Sequence, residues 1–343
     1  MMSDVSAAEV CDFMEVLNGT ESAVQAARAC GVVSLIGNND GMFKTADGIS
    51  DYNPALIDYK GDSAISAGIG AVLFNKRVLL ASMSNDVKRA ALMRLPMVSF
   101  YHKIKNYSIV FLPQSSQEVF DDLVAAYAIS EDKKVLLPVV VKSDPLLNAT
   151  YESVDVPSQK IIENMIGHIK MEKPDKHIKL KIDDNLEGKM QLQKAVENSR
   201  KVIADFSEKW RKKFKRTISV IDSYLTEDAE TVLVVYGPNS GNALLAVKQL
   251  REKGEKAGLL RIHLFRPWPQ QEIENALVGA RKVAVVDGQV SIGSWSALYS
   301  QIKAVTRASC SNYISGPVVS VKDFVDIYFR TKSTDKEERV WMI

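Results

Sequence analysis

Cysteine and histidine are scarce in this chain of 343 residues. Its three cysteines are Cys11, Cys30 and Cys310. They lie far apart and form no Cys-x-x-Cys pair, so the sequence supports neither a disulfide framework nor a zinc or iron–sulfur site. The four histidines include no i, i+4 pair with an acidic neighbour, which is the arrangement typical of a helical metal site. We therefore predict no metal site in this chain.

Long apolar runs and a strong charge bias are missing as well. The longest apolar runs, such as 135–141, fall far short of the ~20 residues of a membrane helix. The N-terminus has neither the basic start nor the apolar stretch of a secretory signal, so we expect a cytoplasmic protein that spans no membrane. Forty-four basic and 42 acidic side chains leave a net charge of +2, which is too small to predict a nucleic-acid partner.

What the sequence does contain is an alternation of helical patterns with apolar strand patterns. In the first part of the chain, predicted helices at 20–29, 62–73 and 116–130 separate predicted strands, and this alternation is typical of a parallel α/β sheet. A second α/β unit begins at Thr231. Between the two lies a polar segment followed by a long charged helix from about 186 to 216. The predicted regions are 1–145, a connecting segment at 146–228, and 229–343.

Three motifs each allow two interpretations. Gly237-Pro238-Asn239-Ser240-Gly241, between a strand and a helix, is either a phosphate-binding turn or a plain tight turn. Asp287-Gly288 is either a ligand site at a strand end or a turn. The basic cluster at 209–216 suits nucleic acid or an acidic protein, or it is the solvated face of a helix with Trp210 and Phe214 packed inward. We favour the structural interpretation of each.

Two long stretches resemble the alpha subunit of 2-oxoacid:ferredoxin oxidoreductases, the pyruvate synthase family. In the second unit, the most specific segment is GLLRIHLFRPWP at 258–269, and VVDGQVSIG at 285–293 resembles the family's Asp-containing loop ahead of a helix. Upstream, VLLPVVVKSDPLLNATYESVDVPSQ at 135–159 is similar to the end of the family's first domain. GTESAVQAARACGVVSLIG at 19–37 and DSAISAGIGAVLFNKRVLLASMSND at 62–86 resemble the thiamine-diphosphate pyrimidine domain. The resemblance implies a pyrimidine-type parallel-sheet domain followed by a smaller domain like the transketolase C-terminal domain.

The residues that the family uses in catalysis do not carry over to this chain. The family's threonine, which helps hold the 2-oxoacid, falls on Gly37. Its glutamate, which hydrogen-bonds the aminopyrimidine ring, falls on Gly61, with Asp62 one residue further on. The region of its substrate-binding arginine is shortened and leaves residues 103–105 nearby. A glycine offers no carboxylate to stabilise the imino tautomer of the ring, so no catalytic residue is assigned.

The candidate cofactor-facing residues lie in loops after predicted strand ends, because open α/β sheets place ligands outside the carboxyl ends of their strands. They are Asn38, Asp62, Ser84 and Asn85.

The resemblance implies a subunit that acts only in a complex, in the CoA-dependent oxidative decarboxylation of a 2-oxoacid with reduction of ferredoxin or flavodoxin. Pyruvate is the expected substrate. Thiamine diphosphate and Mg²⁺ would be shared with a beta-type subunit, and [4Fe–4S] clusters would lie on other subunits, including a ferredoxin-like delta subunit beside a gamma subunit. None would be bound by this chain alone.

Two alternatives remain. Gly37 and Gly61 favour a structural or regulatory paralogue that has lost catalysis. A thiamine-dependent transketolase or decarboxylating dehydrogenase subunit shares the two folds. Such a subunit should have the glutamate that is missing here, and it would lack the sequence stretches that resemble 2-oxoacid:ferredoxin oxidoreductases. This alternative therefore ranks last.

Overall fold

The computed structural model describes residues 14–59, 62–81, 87–102, 108–167, 184–289 and 291–342. Its contacts divide the chain into two compact units, Met1–Ile218 and Ser219–Ile343. Of the predicted connecting segment 146–228, the described residues 146–167 and 184–218 belong to the first unit, and the remainder belongs to the second. Within the described ranges, no helix combines the length and the apolar composition that crossing a bilayer requires.

The described part of the first unit contains eight strands and eight helices. In chain order these are β1 (Met14–Leu17), α1 (Gly19–Ala29), β2 (Ser34–Gly37), α2 (Asp40–Asp47), β3 (Ala55–Asp58), α3 (Asp62–Leu73), β4 (Val78–Ala81), α4 (Lys88–Leu92), β5 (Val98–Tyr101), β6 (Ile109–Phe111), α5 (Ser116–Ser130), β7 (Val139–Lys142), α6 (Pro145–Ala149), β8 (Glu152–Asp155), α7 (Gln159–Ile166) and α8 (Leu186–Phe214).

Strands β2 to β7 form the parallel sheet that the alternation predicted, in the order β6-β7-β5-β4-β2-β3. The chain runs from β2 outward to β3 and then returns to β4 on the other side of β2. This reversal creates a topological switch point between β2 and β4, the place where open α/β sheets leave a crevice. Gly37 pairs with both Asp58 and Ala81, so these three neighbouring strands end level at that crevice.

The long helix α8 explains the basic cluster. Its buried side chains recur every three or four residues and include Trp210 and Phe214, whose rings lie 4.3 Å apart. On the exposed side, Arg211 and Lys212 both pair with Glu208. The interpretation as a solvated helix face with inward aromatics is therefore confirmed. Arg216 differs, because its guanidinium binds carboxylates rather than facing water.

A buried ion pair lies beside the amino end of β4, at the opposite end of the strands from the crevice. Arg77, just before β4, donates to both carboxylate oxygens of Glu131 at 2.7 Å. Its remaining N–H groups donate to the carbonyl oxygens of Cys30 and Gly167 at 2.9 and 2.7 Å. One guanidinium thus joins the end of α1, the end of α5 and the end of α7.

Removing this guanidinium should be costly. Arg77→Met leaves the Glu131 carboxylate buried without a counter-charge, and we expect a loss of about 3–5 kcal/mol in the free energy of unfolding. The double variant Arg77→Met/Glu131→Met removes both charges and should recover part of that loss. The free energies of unfolding of the single and the double variant are measured in urea, with hydrogen exchange of peptides from α5 as the probe. A double variant at least as unstable as the single one would contradict this account.

The second unit contains seven strands and four helices among its described residues. They are β9 (Ile221–Tyr224), β10 (Thr231–Tyr236), α9 (Ser240–Glu252), β11 (Ala257–Ile262), β12 (Leu264–Arg266), α10 (Gln270–Leu277), β13 (Lys282–Asp287), α11 (Ala297–Val305), β14 (Ser309–Ile314), α12 (Val321–Ser333) and β15 (Arg339–Trp341).

Six of these strands form a sheet in the order β15-β14-β13-β10-β11-β9, in which only β9 runs antiparallel. Side chains from α9 and α12 share one apolar core against it. The Gly237–Asn239 segment is a single 3₁₀ turn, and the Asn239 side chain bonds the backbone of Pro317 and Val319. The interpretation as a plain turn is confirmed. The sequence pattern predicts a helix over 291–305, but helix α11 begins only at Ala297, because Ser296 caps it.

Hydrogen bonds and an ion pair to Glu255 make the second unit sensitive to acid. Glu255 accepts a hydrogen bond from the Tyr328 hydroxyl at 2.9 Å and pairs with Lys332. Lys332 first, and then Tyr328, hold the pKa of Glu255 below its usual 4.5. The folded state therefore binds this proton less readily than the unfolded state does, and the stabilisation is present above pH 4.5 and lost as the pH falls below it.

Glu255→Gln should lower the urea midpoint of the second unit at pH 7 and make its decline between pH 6 and pH 3 shallower. Hydrogen exchange of peptides from α9 and α12 measures the unfolding of the second unit separately from that of the first. The matched control is Glu252→Gln on α9, whose carboxylate is exposed and has no hydrogen-bond or ion-pair partner among the described residues. Identical pH profiles for the parent chain and Glu255→Gln would refute the assignment.

Candidate functional site

The switch point between β2 and β4 is built around Gly37 and the two asparagines that follow it. Gly37 has φ 151°, a backbone conformation that side chains disfavour, and its carbonyl oxygen accepts the Tyr59 N–H at 3.2 Å. Asn38 is half-buried, and the Asn39 side chain caps α2 by accepting the Met42 N–H at 3.1 Å. The backbone conformation of Gly37 turns the chain from β2 towards α2, a helix that is not among those predicted from the sequence.

The candidate cofactor-facing residues are described only in part. Asn38 follows β2 directly at the switch point. Asp62 is the first residue of α3, whose start follows β3 at the same edge of the sheet, and its side chain lies outside what the structure describes. Ser84, Asn85, Gly61 and residues 103–105 also lie outside the described ranges. The cofactor-facing roles of these residues stay predictions.

Next to Tyr59, whose backbone N–H bonds Gly37, lies an open depression of about 520 Å³ that sequence reasoning missed. Its lining residues are Tyr59, Ser63, Ser66, Ala67 and Arg89. Ser63 and Ser66 lie on the first turns of α3, where the helix N-terminus attracts negative charge. The Arg89 guanidinium donates to the Ser66 hydroxyl at 3.2 Å and extends that positive potential. The depression can therefore hold a small anion such as a carboxylate.

Arg89 differs from Lys142, another cation that the structure describes at this edge of the sheet. At the end of β7, Lys142 pairs with Asp144 at 2.7 Å, and Asp144 also caps α6 by accepting the Leu146 N–H. Its positive charge is neutralised within the fold. Among the described residues, Arg89 bonds a hydroxyl rather than a carboxylate, so its charge is available to a ligand.

The described cysteines do not fit the role of metal ligands. Cys30 and Cys310 are free and buried, and they belong to different units. Burial raises the pKa of the Cys310 thiol to about 11 and also raises the pKa of Cys30, so both stay protonated at neutral pH. In the ranges that the structure describes, no group of three or more His, Cys, Asp or Glu side chains could hold a metal ion.

Asp287, in the loop after β13, stabilises the fold through hydrogen bonds within the second unit. Asp287, buried at the end of β13, accepts hydrogen bonds from the Tyr236 hydroxyl at 2.9 Å and from the Gln289 and Leu298 N–H groups at 2.8 and 3.2 Å. These bonds hold the turn after β13 and the start of α11. The turn interpretation is confirmed, since both carboxylate oxygens are used within the fold.

Comparisons with known proteins agree with this architecture. A family profile described as "Pyruvate:ferredoxin oxidoreductase core domain II" matches residues 229–324. A second profile, "Pyruvate flavodoxin/ferredoxin oxidoreductase, thiamine diP-bdg", matches residues 82–216. A solved structure described as 2-oxoglutarate:ferredoxin oxidoreductase from Magnetococcus marinus has a TM-score of 0.70 at 14% identity, covering 93% of this chain and 65% of that chain. That likeness is one of fold.

Curated relatives give the same family. Pyruvate synthase subunit PorA of Methanothermobacter thermautotrophicus is 35% identical over 202 residues, covering 57% of this chain and 53% of the relative. The subunit of the same name from Methanocaldococcus jannaschii is 27% identical over 323 residues, covering 82% and 83%. The match thus spans about half the length of the first relative and more than four fifths of the second.

The backbone at Gly37 predicts that the family's threonine cannot simply be restored here. Gly37→Thr places a β-branched side chain at φ 151°, and we expect a loss of about 1–3 kcal/mol in stability. The control Val33→Thr, at an exposed position just before β2, should change stability by less than about 0.5 kcal/mol. The midpoints of urea unfolding of the two variants and the parent chain measure these changes in stability. A Gly37→Thr variant as stable as the parent would show that the loop adapts without strain.

Proposed function

Because this chain belongs to the family of 2-oxoacid:ferredoxin oxidoreductase alpha subunits, we propose that it serves in the CoA-dependent oxidative decarboxylation of a 2-oxoacid with reduction of ferredoxin. Pyruvate is the proposed substrate, since the relatives quoted above are pyruvate synthase subunits. The observation that carries the proposal is the depression lined by Arg89 and Tyr59, because the Tyr59 N–H bonds Gly37, the position to which the resemblance assigns the 2-oxoacid.

We propose that the chain works in a cytoplasmic complex with a beta-type subunit, a gamma subunit and a ferredoxin-like delta subunit. The family profile over residues 82–216 names thiamine-diphosphate binding, and we propose that a pyrimidine-type domain at 1–145 contributes one wall of that site. Residues 229–343 would form the transketolase C-terminal-like domain. The partners would hold the diphosphate, Mg²⁺ and the [4Fe–4S] clusters, because the described part of this chain offers no ligand set for a metal.

The match to thiamine diphosphate is incomplete on this chain's side. Gly61 stands where the resemblance implies the glutamate that holds the aminopyrimidine ring, so this chain supplies no carboxylate from that position. When bound, thiamine diphosphate stabilises the negative charge that decarboxylation leaves on the carbonyl carbon. The proposed contribution of this chain is to bind and orient the substrate.

Arg89 is the proposed carboxylate-binding residue. Tyr59 connects the two parts of this site, since its backbone N–H bonds Gly37 and the residue also lines the depression with Arg89. A 2-oxoacid carboxylate paired with the guanidinium would lie at the N-terminal end of α3. Holding the carboxylate fixes the position of the neighbouring carbonyl group, and such positioning supplies a large part of catalysis in many enzymes.

The proposal is tested by co-expressing the chain with its partner subunits and measuring CoA-dependent dye reduction with pyruvate. Turnover that requires this chain supports the proposed function. A stable complex that converts neither pyruvate nor other 2-oxoacids would overturn it in favour of the catalytically silent paralogue, which Gly37 and Gly61 favour. Asp62→Ala is the discriminating variant, because loss of turnover in this variant would assign the ring-facing role to Asp62 despite the one-residue offset.

Arg89→Gln should raise KM for pyruvate by about 10- to 100-fold, the effect of losing one charge-assisted carboxylate contact. The value of kcat should change less, because the binding of both ground and transition state is weakened. Lys88→Gln on the same helix removes an equal charge, one that already pairs with Asp184, and should leave KM unchanged. Equal KM values for the parent and Arg89→Gln would exclude Arg89 from substrate binding.

A further inference from the structure

The second unit's sheet ends in a strand whose outer backbone edge is open. Strand β15 lies at the edge of the sheet and pairs in parallel with β14. The Asn312 N–H donates to the Glu338 carbonyl oxygen, and the Met342 N–H donates to the Ile314 carbonyl oxygen. Because the N–H and C=O of one residue in a parallel ladder point to the same side, residues 338, 340 and 342 face β14.

Arg339 and Trp341 must therefore direct their N–H and C=O groups outward. None of these four groups bonds any residue in the part of the chain that the structure describes. Such an edge is a template for another strand. The strand is short, which limits how much of a partner it can pair with.

The side chains on this strand divide between the two faces of the sheet. Val340 and Met342 pack on the core that α9 and α12 share. Arg339 and Trp341 lie on the other face, where the Arg339 guanidinium sits 4.5 Å from the Trp295 ring. Trp341 is 53% exposed, and covering its ring with another surface would remove apolar area from water, which is favourable. The edge thus carries a cation and an exposed aromatic ring two residues apart.

We propose that β15 pairs antiparallel with β15 of a second copy of this chain, with Val340 on the two-fold axis. Arg339 of one copy then lies opposite Trp341 of the other, and the two residues exchange both backbone hydrogen bonds. The symmetry repeats the same pair on the other side of the axis. The two six-stranded sheets become one continuous sheet across the interface.

The complementarity of the strand with itself favours a second copy over an unrelated partner. In this register every outward N–H meets an outward C=O, and each guanidinium faces an aromatic ring, which is a favourable cross-strand pair. The Val340 side chains meet at the axis as the closely spaced, non-hydrogen-bonded pair. A shift of register by one residue would oppose the outward groups to residues whose N–H and C=O face β14.

Sedimentation velocity on the full chain between 1 and 100 μM tests the proposal. We expect a reversible dimer with Kd of roughly 10–100 μM, since the paired edge is short. Trp341→Pro removes an outward N–H that β14 does not use, and it should weaken association by about tenfold or more. Arg339→Glu, which replaces the cation opposite the ring and leaves the backbone free to pair, should weaken it as well.

Phe329→Ser is the control, because it removes an exposed aromatic from α12 and leaves the edge strand intact. It should dimerise like the parent chain. Circular dichroism establishes that each variant is folded. A monomer at every concentration overturns the proposal, as does a folded Trp341→Pro or Arg339→Glu variant that dimerises with the parent's Kd.

Discussion

The parallel register of β2, β3 and β4 is the constraint on which the candidate site depends. Because Gly37 pairs with Asp58 on one side and Ala81 on the other, three strands end at one level. Each connection that follows therefore starts from the same edge, and the start of α3 and the depression with Arg89 lie there for that reason. A slip of one residue in any of these strands would exchange the side chains that the strand presents to the two faces of the sheet, and strand ends would no longer be level.

Strong helical patterns made the elements around this edge predictable. Helices α3 and α5 have the bounds that the sequence predicted, because their apolar residues recur over three or more turns. Helix α2 was missed, although Asn39 as a cap and Met42 and Ala46 at i, i+4 are recognisable signals. The start of α11 was placed too early, because the pattern at 291–296 does not reveal that Ser296 ends the loop.

The candidate site was less predictable than the fold, for a physical reason. Asn38 follows a strand directly, so the general rule about strand ends identifies it. Arg89 and Ser66 are 23 residues apart in sequence and meet only because α3 and α4 contribute side chains to the same apolar core. No local pattern distinguishes Arg89 from the other exposed arginines. The same holds for Arg77, whose partner Glu131 lies 54 residues away.

Gly37 and Gly61 stand at the positions where the resemblance places the family's threonine and glutamate. Gly37 occupies a backbone conformation that a threonine would strain, and neither Gly37 nor Gly61 carries a side chain. Among the described residues at this edge, the Arg89 guanidinium and the N-terminal end of α3 both attract anions. An edge that presents a guanidinium and a helix N-terminus is suited to orienting a carboxylate group.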